Sequence, residues 1–432
     1  MAGTIASDAG ARRAVLEAAA SLRVENEALI AKLVRHQSTL GNEQSCLAEM
    51  EEVYRCLGLS PWRVPVSPAE LGAHQGFSPP LIGYEGRDPV VAVLRPREKL
   101  GRSLMLQGHV DVVPEGAADL WTTPPFEPSL RDGRMYGRGT ADMKAGLAAG
   151  VTALRALFRA GLQPAAELQM ASVIEEECTG NGALAVMLAL PKPDACLIPE
   201  PGPGYSALYT AEVGVVWAWV TVTGRPVHVR EMHRGVNAIE AATIIAAAFK
   251  GYEERMNAGE RRHPAFAGDN HPINVNLGTI EGGEWNSSVP TRACIGLRVG
   301  VMPGHSCRDV ARDIERLVAE ASADARLRGA GVRTEFRGFM ADGCIFPPEQ
   351  AISRTIVAAH REVTGRELRH YAAPGLTDGR FYALYQGTEA TCYGPDSDSI
   401  HGIDESVGLQ SVAEVTATLA LMIADWCGLE RK

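Results

Sequence analysis

His109 and Asp111 stand two residues apart in Gly108-His109-Val110-Asp111-Val112-Val113-Pro114, directly after the apolar run Ser103-Leu104-Met105-Leu106. That run reads as a buried strand, and residues i and i+2 of an extended chain point to one side. A carboxylate beside an imidazole can take one ring N–H and leave the other nitrogen free for a metal. The pair would serve equally as a hydrogen-bonded His–Asp contact at a strand end. Asp142 follows in Gly137-Arg138-Gly139-Thr140-Ala141-Asp142-Met143-Lys144. It reads either as the N-cap of an Ala-rich helix or as a carboxylate ligand. Glu175-Glu176-Glu177 close a second apolar run, Glu200 lies between Pro199 and Pro201, and His401 sits in Ile400-His401-Gly402-Ile403-Asp404-Glu405. Three adjacent carboxylates repel one another. An exposed loop tolerates this, whereas a divalent cation would offset it and keep the glutamates ionised.

Together His109, Asp142, Glu177, Glu200 and His401 offer five oxygen or nitrogen ligands and no thiolate, a set suited to zinc, manganese or cobalt. One shared carboxylate plus two ligands per ion describes a two-metal site, with one of the three glutamates left over as a base for bound water.

The elements that must position these residues alternate. Helical spacing runs from Glu25 to Val34, and the helical stretch before it, Arg12 to Leu22, reads as a loosely attached arm. Strands are predicted at Val90 to Leu94, Ser103 to Leu106, Glu167 to Ile174 and Ala195 to Ile198, with helices at Met143 to Gly161 and Asn181 to Leu190. Such alternation predicts an α/β fold with a mostly parallel sheet covered by helices, its ligands at the C-terminal strand ends. From Val213 the texture changes. A strand at Val215 to Thr223, a helix at Val236 to Gly251, strands near Ile273 to Ile280 and Ala293 to Val301, a helix at Cys307 to Ala321 and a strand at Val332 to Phe339 give a β-α-β-β-α-β order. This predicts an inserted α+β domain over 214–339 within a domain formed by 1–213 and 340–432. Helices at Glu349 to Thr364 and Val407 to Trp426, with a strand at Glu389 to Tyr393, return to the first texture.

The 432 residues exceed one ordinary core. A formal net charge of −10 disfavours nucleic acid as a partner. No apolar run is long enough to span a membrane, and the N-terminal residues lack the apolar core of a signal peptide. Nine cysteines, without a paired-spacing motif, fit a reduced cytoplasmic protein.

With GHVDVVP, GRGTADMKAG, VIEEECTGNGALA, IPEP, GRPVH followed by GVNAIE, GTIEGG followed by NSSVP, and IHGIDE in that order, the chain resembles the co-catalytic metallo-amidohydrolases that include acetylornithine deacetylase, succinyl-diaminopimelate desuccinylase, aminoacylase-1 and the glutamate carboxypeptidases. The resemblance extends from about Val24 to the C-terminus. It implies a zinc-exopeptidase-like catalytic domain, a lid that also dimerises, and one or two divalent ions (Zn, Mn or Co) per subunit. His109 and Glu200 would hold one ion, Glu177 and His401 the other, with Asp142 bridging. Asp111 would orient His109, and Glu176 would be the general base acting on a metal-bridging hydroxide. His228, often supplied by the partner subunit in relatives, would support the oxyanion. Arg298, Asn286 and Gly375 match substrate-binding positions, and the Asp142-Met143 peptide is expected to be cis.

The implied activity is deacylation of a small N-acyl amine or amino acid carrying a carboxylate, in a cytoplasmic homodimer. A dipeptidase or carboxypeptidase, hydrolytic deamination of an activated arylamine, and a non-catalytic metal-binding module remain as alternatives. Ala145-Gly146, Gly296 and Asp404 depart from the family pattern without replacing a ligand. An exposed edge strand of the insert, Val215 to Thr223 or Ala293 to Val301, is the expected interface.

Overall fold

A computed structural model describes residues 9–432. A six-stranded sheet forms the centre of the first layer, in the order Trp62–Arg63, Val90–Leu94, Leu168–Val173, Leu104–His109, Ala195–Ile198 and Glu389–Cys392. The last four strands pair in parallel, and the first two join antiparallel at one edge. Leu104–His109 is buried along its whole length, as expected of a central strand covered on both faces. Helices Ala145–Arg159 and Leu409–Cys427 cover it, each with buried residues on almost every turn.

Helix Ala145–Arg159 begins against the loop that carries Glu200. A Cβ on Gly146 would lie 1.9 Å from the Pro199 carbonyl oxygen, so only glycine permits this approach. Ala145, where the sequence departs from its family, is buried beside it and needs no such clearance.

The second layer is a four-stranded antiparallel sheet in the order Val275–Gly282, Arg292–Val301, Gly214–Thr223 and Gly331–Ala341. Helices Ala238–Asn257 and Cys307–Ser322 pack on one of its faces and close a separate hydrophobic cluster around Val216, Ala218, Ile245, Ile295 and Ile314. The chain order through this unit is β-α-β-β-α-β.

Two expectations are corrected. Both strands offered as exposed edges are interior. Gly214–Thr223 lies between Arg292–Val301 and Gly331–Ala341, and Arg292–Val301 lies between it and Val275–Gly282. The run Val215 to Thr223 is rich in β-branched and aromatic residues because it pairs with a neighbour along both sides, while its two faces differ: Val216, Ala218, Val220 and Val222 are buried under the helices and the residues between them are only partly covered. The edges are Gly331–Ala341 and Val275–Gly282, the latter exposed over nearly its whole length. The stretch Arg12 to Leu22 is not a loose arm. Helix Ala9–Ser21 buries Val15, Ala18 and Ala19, and Arg12 forms ion pairs with Glu362 and Asp425 at 2.5 Å each.

Among the strands without a sequence counterpart, Ala207–Glu212, Cys344–Ile345 and Arg369–Ala373 form one small mixed sheet. Cys344–Ile345 has only two residues, Arg369–Ala373 begins with exposed polar residues, and Ala207–Glu212 mixes apolar with polar residues while mostly buried, so none carries a clear apolar period. Among the described residues, no helix is long and apolar enough to cross a membrane.

Candidate metal centre

His109 ends its strand with the ring buried. Its Nδ1–H donates to the Asp111 backbone carbonyl at 2.8 Å, which leaves Nε2 free to face the cluster. Nε2 lies 3.1 Å from Asp142 Oδ1, 3.7 Å from Glu200 Oε1 and 3.9 Å from Glu176 Oε2. His401 approaches from the other side, its Nε2 3.0 Å from Glu177 Oε1 and 3.4 Å from Asp142 Oδ2. Each oxygen of Asp142 therefore faces a different imidazole. Two three-residue groups with ligand atoms close enough for one ion share this carboxylate: His109, Asp142 and Glu200, and Asp142, Glu177 and His401.

Asp142 is not an N-cap. The following helix starts at Ala145, and the residue before it is Lys144. The Asp142-Met143 peptide is cis. The loop is held from below by Glu405, whose Oε1 accepts the N–H groups of Ala141 and Asp142 at 2.9 and 3.1 Å. Its Oε2 accepts Arg138 Nη1 at 2.6 Å and the Gly139 N–H at 3.0 Å. Arg138 also reaches the Gly402 carbonyl at 3.1 Å. This network ties the loop bearing Asp142 to the loop bearing His401. The departing residue Asp404 turns away and pairs with Thr122.

The three glutamates diverge. Glu175 has a left-handed backbone (φ 60°) and is fully buried. It accepts Arg87 Nη2 at 2.7 Å, Tyr84 Oη at 2.8 Å and Thr179 Oγ1 at 2.6 Å. Arg87 is shared with buried Glu43. Glu176 and Glu177 turn into the cluster instead, because Asp111 accepts their backbone N–H groups at 3.3 and 3.1 Å. Asp111 was expected to orient His109 through its carboxylate. Its carbonyl makes the closer contact, with the carboxylate 3.6 Å from Nδ1, and the carboxylate itself fixes the two glutamates.

The electrostatics ask for positive charge. Burial raises the proton affinity of Glu176 and Glu200 well above the usual carboxylate range, reinforced by neighbouring carboxylates. Glu177, ahead of other causes, drives His401 up to about 11. Glu200 Oε1 is buried without a hydrogen-bond partner, an orphan that a cation would satisfy. The donor set, the two-sided Asp142 and this orphan fit a pair of divalent ions.

The cluster opens into a cavity of about 600 Å³ between the metal-ligand loops and the uncovered face of the four-stranded sheet, lined by Glu176, Glu200, His401, Trp217, Arg298 and Gly375, among others. Burial lowers the proton affinity of Arg298, and the only hydrogen bond of its side chain among the described residues is to the Pro374 carbonyl at 3.4 Å. His228 and Asn286 do not line this cavity. They are exposed on neighbouring loops joined by a bridge from His228 to Ser288, and His228 Nδ1 accepts the Arg230 N–H.

Sequence reasoning passed over Glu405, Arg87 and Asp378. Asp378 is buried beside Glu176, and burial pushes it up to about 6. Glu405 ends a quoted motif and Asp378 follows Gly375 closely, whereas Arg87 lies far from any quoted motif, and a buried charge partner leaves no periodic trace in a sequence.

A family model described as peptidase family M20/M25/M40 matches residues 105–425. The chain is 28% identical over 377 residues to N-formyl-4-amino-5-aminomethyl-2-methylpyrimidine deformylase of Halalkalibacterium halodurans, covering 81% of this chain and 85% of the relative. It is 28% identical over 356 residues to succinyl-diaminopimelate desuccinylase of Dechloromonas aromatica, covering 79% and 87%. Among solved structures, human carnosine dipeptidase 1 superposes with a TM-score of 0.76 at 15% identity, covering 96% of this chain and 99% of that one.

Proposed function

The chain belongs to peptidase family M20/M25/M40 and is a hydrolase of C–N bonds, and from that premise we propose that it removes the acyl group from a small N-acyl amine or N-acyl amino acid. The observation that carries the site assignment is Asp142, whose two oxygens face His109 and His401 separately. The family's chemistry depends on divalent metal ions. In this reading His109, Asp142 and Glu200 hold one ion, and Asp142, Glu177 and His401 the other. Bound there, such ions supply a polarised acyl carbonyl and a water that loses its proton near neutral pH.

The chain's own residues move the proton. Glu176 takes it from the attacking water and delivers it to the amine nitrogen as the C–N bond breaks and the C–O bond forms. Its burial suits it to hold that proton between the two steps. Asp111 holds Glu176 and Glu177 in place through their backbone N–H groups. Arg298 offers a fork that matches a substrate carboxylate, and Gly375 leaves open space beside it.

His228 and Asn286 lie together, away from this cavity, which suits delivery to the site of a second subunit, where His228 would support the oxyanion. The exposed edge Val275–Gly282 carries Leu277 and Ile280, with Trp285 nearby at 74% exposure, and is our candidate for the homodimer contact. Residues 214–339 then form a lid and dimerisation unit. The nine cysteines are all free, in keeping with a cytoplasmic location.

The test is release of amine or ammonia from N-formyl, N-acetyl and N-succinyl amino acids, Gly-X dipeptides and a nitroarylamine, with manganese, zinc or cobalt added. Turnover of the N-acyl compounds above the others supports the reading. Preference for dipeptides, or ammonia release from the arylamine, replaces it with one of the alternatives. No turnover by protein with two bound ions removes it.

A further inference from the structure

The wall of the cavity opposite the metal ligands is built for a flat ring. Val215, Trp217 and Trp219 alternate onto the face of strand Gly214–Thr223 that the two helices leave uncovered, while Val216, Ala218 and Val220 point into the helix-packed core. Glycines support both indoles from the neighbouring strands. A Cβ on Gly296, directly opposite Trp219, would lie 3.1 Å from Trp219 Cζ3 and 2.4 Å from Thr279 Oγ1. A Cβ on Gly338 would lie 2.4 Å from Trp217 Cε3. Each indole thus occupies space that any other residue would fill. Gly296 is a position where the sequence departs from its family, and the structure gives that departure a use. Phe339 meets Trp217 edge to face, with ring centroids 5.4 Å apart and planes at 88°, and so fixes its tilt.

Arg298 is the cross-strand partner of Trp217 on the same sheet. Directly opposite side chains stand about 5 Å apart at Cβ. Arg298 pairs with no carboxylate among the described residues. A ring on the indoles and an anion on Arg298 therefore fit one compact substrate group in which a carboxylate sits a few bonds from an aromatic ring.

Resting on the deacylase reading above, we infer that the amine part of the substrate is an aromatic amino acid or amino-aromatic acid. Its ring lies on Trp217 and Trp219, its carboxylate is held by Arg298, and a small acyl group points to the metal ligands. Gly296 and Gly338 are then specificity-determining residues, because they make room for the two indoles.

The experiment separates binding from turnover. Metal-loaded Glu176→Gln protein is titrated calorimetrically with N-acetyl-L-tryptophan, N-acetyl-L-leucine and N-acetyl-L-tryptophanamide. Stacking beyond the area buried favours the tryptophan derivative over the leucine one by about tenfold or more. Removing the carboxylate, as in the amide, weakens binding by about tenfold or more. Added to this background, Trp217→Leu with Trp219→Leu abolishes the aromatic preference, Trp219→Phe retains it, and Gly296→Ala reduces it by displacing the indole with both tryptophans still present. Equal affinity for the two amino-acid derivatives, or a preference that survives the double leucine variant with metal content unchanged, overturns the inference. Wild-type protein that binds the aromatic ligand selectively and hydrolyses none of the panel would overturn the deacylase reading and leave the aromatic subsite standing. Turnover without aromatic preference would do the reverse.

Discussion

Replacing Glu405 by glutamine should loosen the centre without touching a proposed ligand. The carboxylate accepts four hydrogen bonds, two on each oxygen, from Arg138, Gly139, Ala141 and Asp142. It is fully buried. A glutamine keeps one acceptor oxygen and turns an NH2 group toward donors on the other side. Two hydrogen bonds to a charged acceptor are lost, at about 1.5–3 kcal/mol each. Arg138, only 1% exposed, also loses its carboxylate partner, and breaking a buried pair from one side costs about 3–5 kcal/mol. These are overlapping accounts of one change, so the expected loss of stability is about 3–5 kcal/mol. That is a large part of the 5–15 kcal/mol typical of folded proteins, but it leaves a foldable chain. Because the same network ties the Asp142 loop to the His401 loop, metal affinity should fall by about 10- to 100-fold. Urea unfolding of the metal-free protein reads the first effect, and metal titration against a chelating indicator reads the second. An unchanged unfolding midpoint together with unchanged metal affinity would refute the argument that Glu405 positions Asp142.

Two further outcomes are expected. Arg87→Met strands the buried carboxylates of Glu43 and Glu175 and should cost about 3–5 kcal/mol, with partial recovery when Glu43→Gln is added, both measured by urea unfolding. Burial pushes Glu212 up to about 7 from an ordinary 4.5, so the folded state holds this proton more tightly than the unfolded chain. The stabilisation is fully present below pH 4.5 and is lost as pH rises through 7. Glu212→Gln should therefore flatten the fall in stability between pH 4.5 and 7 by about 3 kcal/mol, and an unaltered pH profile would remove Glu212 as its source.

The strands that position the site were legible because their apolar runs are continuous and end in polar residues. Ala195–Ile198 falls where the sequence placed it, and Leu104–His109 starts one residue later than the expected Ser103 to Leu106 and runs three residues further, through Gln107 and Gly108 to His109. The proposed ligands could be picked out because hard donors at strand ends serve little structural purpose there, and because the motif order supplied the register. Residue types and strand alternation alone did not show which of Glu175, Glu176 and Glu177 faces inward, and only the resemblance assigned them. That choice depends on Arg87, Tyr84 and the left-handed turn at Glu175, contacts distant in sequence. The same holds for the sheet edge. Val215 to Thr223 looks like any aromatic β-branched strand until its two neighbours are known, since strand order follows from how the whole insert folds. The aromatic wall was hidden for a related reason. Gly296 could be noticed only as a missing acid, and the indole it accommodates lies on a different strand.

The most direct test of the catalytic account is the rate of N-acyl amino acid hydrolysis by Glu176→Gln beside the parent, with bound metal counted in both. The account requires two ions per chain in each protein and a rate lower by about 10²- to 10⁴-fold in the variant. A variant that binds both ions and turns over as fast as the parent would contradict it.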